Sequence, residues 1–182
     1  MVLNICCWKN RLLTVVGKLY GFFLFAIAII RENVFNVRSH NFGVVNDGEI
    51  YRSAQPSRQF LKRLIKKQNI KTIVAFTYSV PDFEIREAEL NGIKIIHLAM
   101  SVYRGPSEND VKKFLEVAKD KTNYPILIHC SVGSDRTGVM AAIKRIEIDG
   151  WNVKEATKEM LYYRNAPLFI SMPKRFLEKH YK

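Results

Sequence analysis

From Phe42 onward the apolar and polar positions of this chain switch between two periods. Residues 43–45 and 49–52 are short extended runs on either side of Asn46-Asp47-Gly48, a turn triplet that predicts a hairpin. Residues 57–67 then put Phe60, Leu61, Leu64 and Ile65 on one helical face. IKTIVAF, residues 70–76, reads as a strand, residues 83–90 as a helix stopped at Asn91-Gly92, and IKIIHL, residues 93–98, as another strand. A further helix opens at Ser107, with Asp110 three residues on as its capping partner and Phe114, Leu115 and Ala118 turned inward. The wholly apolar run at 125–128 predicts a strand buried on both faces. Residues 136–148 form a helix with Met140, Ala141 and Ile143 inward, residues 153–163 another, and Pro173 starts a last helix that runs to about His180. Strands and helices that alternate in this way predict an α/β fold: a central, largely parallel sheet flanked by helices. There is no internal repeat, low-complexity tract or second globular domain.

The pattern upstream is different. Residues 12–30, LLTVVGKLYGFFLFAIAII, carry one charge, Lys18, and show no polar face. At about 1.5 Å per residue they nearly cross a hydrocarbon core of roughly 30 Å. Twelve Leu, Ile, Phe and Val residues, at about −0.3 to −0.6 kcal/mol each, outweigh one lysine at roughly 2.5–3.5 kcal/mol. Residues 1–31 therefore read as a single-pass membrane anchor, and the chain as membrane-associated. Lys9, Arg11 and Lys18 orient the amino terminus inside and the domain outside. The alternative is a signal peptide cleaved near Ala26-Ile27-Ala28, with an exported domain. Residues 32–41 are polar and read as a linker, which leaves 42–182 as the globular domain.

Charge and cysteine usage narrow the chemistry. Among 182 residues the net charge is +12, which favours anionic partners: phosphorylated molecules, nucleic acid or an acidic membrane surface. The basic residues are scattered and no nucleic-acid motif accompanies them, so nucleic acid is not an expected partner. Three cysteines make no disulfide framework. Cys6 and Cys7 sit before the apolar segment, which permits acylation, and Cys130 stands alone in the rest.

Cys130 lies in HCSVGSDRTG, residues 129–138, directly after the apolar strand. In an open α/β sheet, ligands bind beyond the carboxyl ends of the strands, where this stretch falls. Ser131, Val132, Gly133, Ser134 and Asp135 form a loop of mostly small residues that can curl and aim successive backbone N–H groups inward, a nest for an anion. The helix that follows adds its positive end, and the planar fork of Arg136 can hold two oxygens of a phosphoryl group. The same field favours a thiolate at Cys130. A thiolate there would attack phosphorus, form a phosphocysteine and release it to water. Thr137 is placed to donate to the sulfur, and His129 to order the loop rather than to ligate a metal; no second group of metal ligands goes with it.

His-Cys, five residues, then Arg-Thr-Gly resembles the signature of the cysteine-dependent protein tyrosine phosphatase superfamily. The small domain, with GEIYRSAQPS at 48–57, KTIVAF and GSDRTG, is similar to compact, bacterial-type members of the dual-specificity branch. The resemblance covers roughly three-quarters of the chain. It implies Cys130 as nucleophile, Arg136 and the 131–135 backbone as phosphate ligands, and neither metal nor cofactor. The family's general acid is an Asp on a loop about thirty residues before the cysteine. Here that loop reads HLAMSVYRGPSEND and has no Asp near its start. Asp135, just before the signature arginine as in some relatives, is the first candidate and Asp110 the second. The resemblance puts YRSAQP at the sheet edge, with Tyr51, Arg52 and Gln55 as packing residues and Arg52 as a possible substrate contact; Tyr103 and Arg104 would flank the pocket. The expected activity is hydrolysis of phosphotyrosine, and of phosphoserine or phosphothreonine as well. The alternatives are a lipid-phosphate phosphatase, against which the absence of Lys or Arg between Cys130 and Arg136 argues, and a tethered phosphate-binding pseudophosphatase.

Overall fold

The computed structural model describes residues 40–46, 48–163 and 171–181. The anchor or signal segment lies outside them. Strands β1 (Gly43–Asn46) and β2 (Ile50–Ala54) form the antiparallel hairpin that the turn triplet predicts. Helix α1 (Arg58–Gln68), strand β3 (Thr72–Ala75), helix α2 (Asp82–Leu90) and strand β4 (Lys94–His97) follow. Helix α3 (Glu108–Lys119), strand β5 (Ile126–Cys130) and helices α4 (Asp135–Glu147), α5 (Val153–Tyr162) and α6 (Ser171–His180) complete the order.

The sheet order is β1-β2-β5-β3-β4, parallel except for the first pair. This is the largely parallel α/β sheet expected from the alternation. One placement differs. The YRSAQP strand does not lie at the edge: β2 sits between β1 and β5, with Arg52 opposite Ile128 and Ala54 opposite Cys130. Every residue of β2 and of β5 is buried. The hairpin makes β1 the edge, and so pushes β2 inward against the strand that carries the cysteine.

Side chains alternate across the sheet. Ile73 and Leu127 face α1 and α2 together with Phe60, Leu61 and Leu64. Val74, Ile126 and Ile128 face Phe114, Val139, Met140 and Ile143 on the other side. Burying each such side chain contributes about 1.5–3 kcal/mol. Helix α4 is buried from Arg136 through Lys144, so it is a central helix and not an amphipathic surface one. His40 and Asn41, read as linker from the sequence, pack into this unit: His40 stacks on Phe60 at 4.1 Å, and its carbonyl accepts from the Ala54 N–H.

Candidate active site

Strand β5 ends at Cys130, and α4 begins five residues later at Asp135. The chain must turn sharply between them, and Gly133, at φ +72°, makes that turn. A Cβ on Gly133 would sit 2.5–2.7 Å from the backbone of Ser53 and Ala54, so the loop lies directly on β2. The loop curls around the sulfur: the Gly133 N–H donates to Cys130 Sγ at 3.2 Å. Cys130 is buried, whereas the Val132 side chain points outward.

Arg136, in the first turn of α4, folds back over the loop. Its Nη2 donates to Ser131 Oγ at 2.9 Å and its Nη1 to the Phe76 carbonyl at 2.8 Å, with the Met100 carbonyl at 3.5 Å. These contacts fix a guanidinium against Ser131, the residue that follows the thiol. Tyr78 lies 5.9 Å from the guanidinium carbon, ring centroid to atom, and is 65% exposed. Tyr103 is 76% exposed, on a turn whose Tyr103 and Arg104 N–H groups donate to Ser101 Oγ. One exposed ring, Tyr78, thus lies beside the buried cation that folds over the loop.

Residues far apart in sequence shape the loop from below. The Ser131 carbonyl accepts from the Gln55 N–H at 3.3 Å. The Val132 carbonyl accepts from Asn41 Nδ2 at 3.2 Å, and the Gly133 carbonyl from Arg52 Nη2 at 2.8 Å. Arg52 is therefore not a substrate contact. It is fully buried beneath the loop, and burial lowers its pKa to about 10, which leaves it cationic at neutral pH.

At the base of the site, His129 has a partner that the sequence reading missed. His129 Nε2–H donates to Glu84 Oε1 at 2.8 Å, and both side chains are fully buried. Gln55 Nε2 donates to the other oxygen of Glu84. Removing one member of the His129–Glu84 pair leaves its buried partner short of a hydrogen bond, at about 1–3 kcal/mol. The sequence signal was present in α2, where Glu84, Glu87 and Ala88 occupy positions i, i+3 and i+4 and are the buried face, while Leu90 is exposed. The helix turns carboxylates inward: Glu87 also meets Lys62 at 3.3 Å and Arg58 at 3.8 Å.

The two acid candidates separate. Asp110 completes the capping box of α3, with its Oδ2 accepting from the Ser107 N–H at 3.0 Å and from the Ser107 hydroxyl at 2.6 Å. Asp135 is the first residue of α4 and partly exposed, next to Arg136. Thr137 does not make the expected bond to the sulfur: its Oγ1 is buried and has no hydrogen-bond partner among the described residues. Nor do the described residues contain a group of three or more His, Cys, Asp or Glu side chains able to hold a metal.

The arrangement can seat a tetrahedral oxyanion over a thiol, between backbone donors and one guanidinium. The chain is 31% identical over 141 residues to the inositol diphosphatase Siw14 of Saccharomyces cerevisiae, covering 73% of this chain and 48% of that one. It is 28% identical over 111 residues to the dual specificity protein phosphatase TpbA of Pseudomonas aeruginosa, covering 61% and 49%. The match spans about half the length of each relative. The crystal structure of the Siw14 catalytic core superposes with a TM-score of 0.70 at 26% identity, over 79% of this chain and 86% of that one. The profile of the tyrosine phosphatase family matches residues 36–180, from before the hairpin to the last helix. With the fold and the sequence in agreement over that span, the chain belongs to the tyrosine phosphatase family and is a cysteine-dependent phosphatase.

Proposed function

We propose that this phosphatase acts on aryl phosphomonoesters, phosphotyrosyl side chains first, through a phosphocysteine on Cys130. The thiolate of Cys130 forms the S–P bond as the P–O bond to the leaving group breaks. Backbone N–H groups of residues 131–135 and the Arg136 guanidinium carry the charge on the equatorial oxygens. Asp135 gives its proton to the departing oxygen, then takes one from the water that attacks phosphorus and frees the thiolate. The observation that carries this reading is the Gly133 N–H bond to Sγ, with Arg136 folded beside it. The aryl preference is supported by exposed Tyr78, whose ring lies 5.9 Å from the Arg136 guanidinium carbon, and by a loop without Lys or Arg, which suits one flat ring better than several phosphates.

Asp135→Asn tests the acid. Hydrolysis of phosphotyrosine, whose leaving group is poor, should fall about 100-fold or more, while an aryl phosphate with a highly acidic leaving group falls only a few-fold. Equal losses on both would remove Asp135 from the mechanism. A second reading is favoured by the Asp110 capping box and the likeness to an inositol diphosphatase. A phosphoanhydride expels a phosphate that needs no proton from the enzyme. On that reading inositol pyrophosphates would be cleaved faster than phosphotyrosyl peptides, and Asp135→Asn would leave both rates nearly unchanged.

Residues 12–30 act as the membrane tether in this proposal, supported by their length and apolarity; among the described residues no helix is long and apolar enough to cross a membrane. The full chain should stay with the membrane pellet through alkaline carbonate, and a chain lacking residues 1–31 should not. Release of the full chain would replace the anchor with the cleaved-signal alternative.

A further inference from the structure

Arg52 has no part in the chemistry proposed above, yet it is among the largest fully buried side chains of the protein. Its guanidinium carbon lies 4.1 Å from the Tyr163 ring centroid. Its one hydrogen bond among the described residues is the 2.8 Å bond from Nη2 to the Gly133 carbonyl; Nε and Nη1 have no partner there. Desolvating a cation for a single bond works against the fold, and an apolar side chain of similar length would fill the space more favourably. What Arg52 contributes must therefore be sought in its acceptor.

We propose that Arg52 is a positioning residue for the oxyanion cradle: by holding the Gly133 carbonyl beneath the loop, it aims the Ser134 N–H at the bound phosphoryl group. The inference rests on the assignment of residues 131–136 as the phosphate site. A trans peptide points its C=O and N–H in opposite directions, so an N–H is aimed by tying down the carbonyl of the same peptide. The adjacent peptide shows the geometry at work. Asn41 holds the Val132 carbonyl at 3.2 Å, and the N–H of that peptide, on Gly133, reaches Cys130 Sγ at 3.2 Å. Arg52 does to the next peptide what Asn41 does to this one. The pivot needs the restraint, because glycine populates both hands of φ with little preference and its peptide turns over readily. With Arg52 gone, the Gly133 carbonyl can rotate into the cradle, where its negative end faces the oxyanion and the Ser134 donor is withdrawn. Tyr163 supports the grip: its ring lies against the guanidinium, and its own carbonyl accepts from Asn41 at 2.8 Å, so both carbonyl anchors meet at the end of α5.

The test is a set of inhibition constants on the full chain, with p-nitrophenyl phosphate as substrate. Vanadate adopts the trigonal-bipyramidal shape of the transition state and inorganic phosphate does not. For Arg52→Met the vanadate Ki should rise about 100-fold and kcat fall by a similar factor, the usual effect of losing one oxyanion donor, while the phosphate Ki and KM change only a few-fold and thermal unfolding shifts by a few degrees. Arg52→Lys, which keeps the charge but lacks the planar fork, should show a smaller change in the same ratio. An unchanged vanadate-to-phosphate ratio in Arg52→Met overturns the proposal, as does equal weakening of both ions, which is what a merely structural role predicts. If Arg52→Met does not fold, an unchanged ratio in folded Arg52→Lys overturns it. A wild-type chain that neither turns over substrate nor binds vanadate overturns the phosphate-site assignment itself, and this inference with it.

Discussion

Cys130→Ser should release no measurable phosphate from p-nitrophenyl phosphate or from a phosphotyrosyl peptide, a loss on the order of 10⁵-fold or more, while peptide binding stays within several-fold of wild type. The reason lies in what surrounds the sulfur. A serine hydroxyl is a poor nucleophile unless a base takes its proton, and the hydrogen bond made to the sulfur among the described residues comes from the Gly133 N–H, a donor and not a base. The proposed route offers the nucleophile hydrogen-bond donors and no adjacent base, an arrangement that suits a thiol better than an alcohol. The oxyanion ligands are untouched, because the Gly133 N–H can donate to a hydroxyl as it does to Sγ. Single-turnover quench together with fluorescence anisotropy of the peptide separates the two effects. Turnover above about 1% of wild type would mean that the covalent route through Cys130 is not the main one.

Gly133→Ala should lower kcat/KM by a factor of about 10²–10³ and reduce stability as well. Two costs coincide at this residue. An alanine at φ +72° sits in the left-handed region, at about 1–2 kcal/mol. Its Cβ would also be driven to 2.5 Å from the Ala54 nitrogen, which is backbone and cannot swing aside. The loop must lift off β2, and a displacement of about 1 Å in a catalytic group is enough to cost 10²-fold in rate. Kinetics and denaturant unfolding of the same preparation check both parts. Wild-type kinetics in a destabilised variant would show that the loop regains its shape without the contact.

What the sequence disclosed and what it concealed divide along the range of the interactions. The loop, its flanking strand and α4 were readable because each is specified locally: the apolar run of β5 gives way to small residues, and Asp135 opens the helix. The Ser107–Asp110 capping box was readable for the same reason, and it gives Asp110 a structural role in α3. The position of β2 was not readable, since it depends on which strand the hairpin offers to β5, a choice made by tertiary packing. Glu84 was missed because the reading placed a helix at 83–90 without assigning it a buried face, and the partners that draw the carboxylate inward, His129 and Gln55, are distant in sequence. Asn41 looked like linker because an isolated polar residue gives no sign that its amide will reach Val132 and Tyr163.

The braces of the loop are drawn from both ends of the domain. Asn41 reaches Tyr163, 122 positions later, Arg52 reaches Gly133 across 81, and Glu84 reaches His129 across 45. A nascent chain that has just exposed Cys130 and Arg136 from the ribosome therefore holds the reactive residues but not yet the shape that arms them. Until the segment ending at Tyr163 has emerged and docked, the thiol belongs to an unfinished protein.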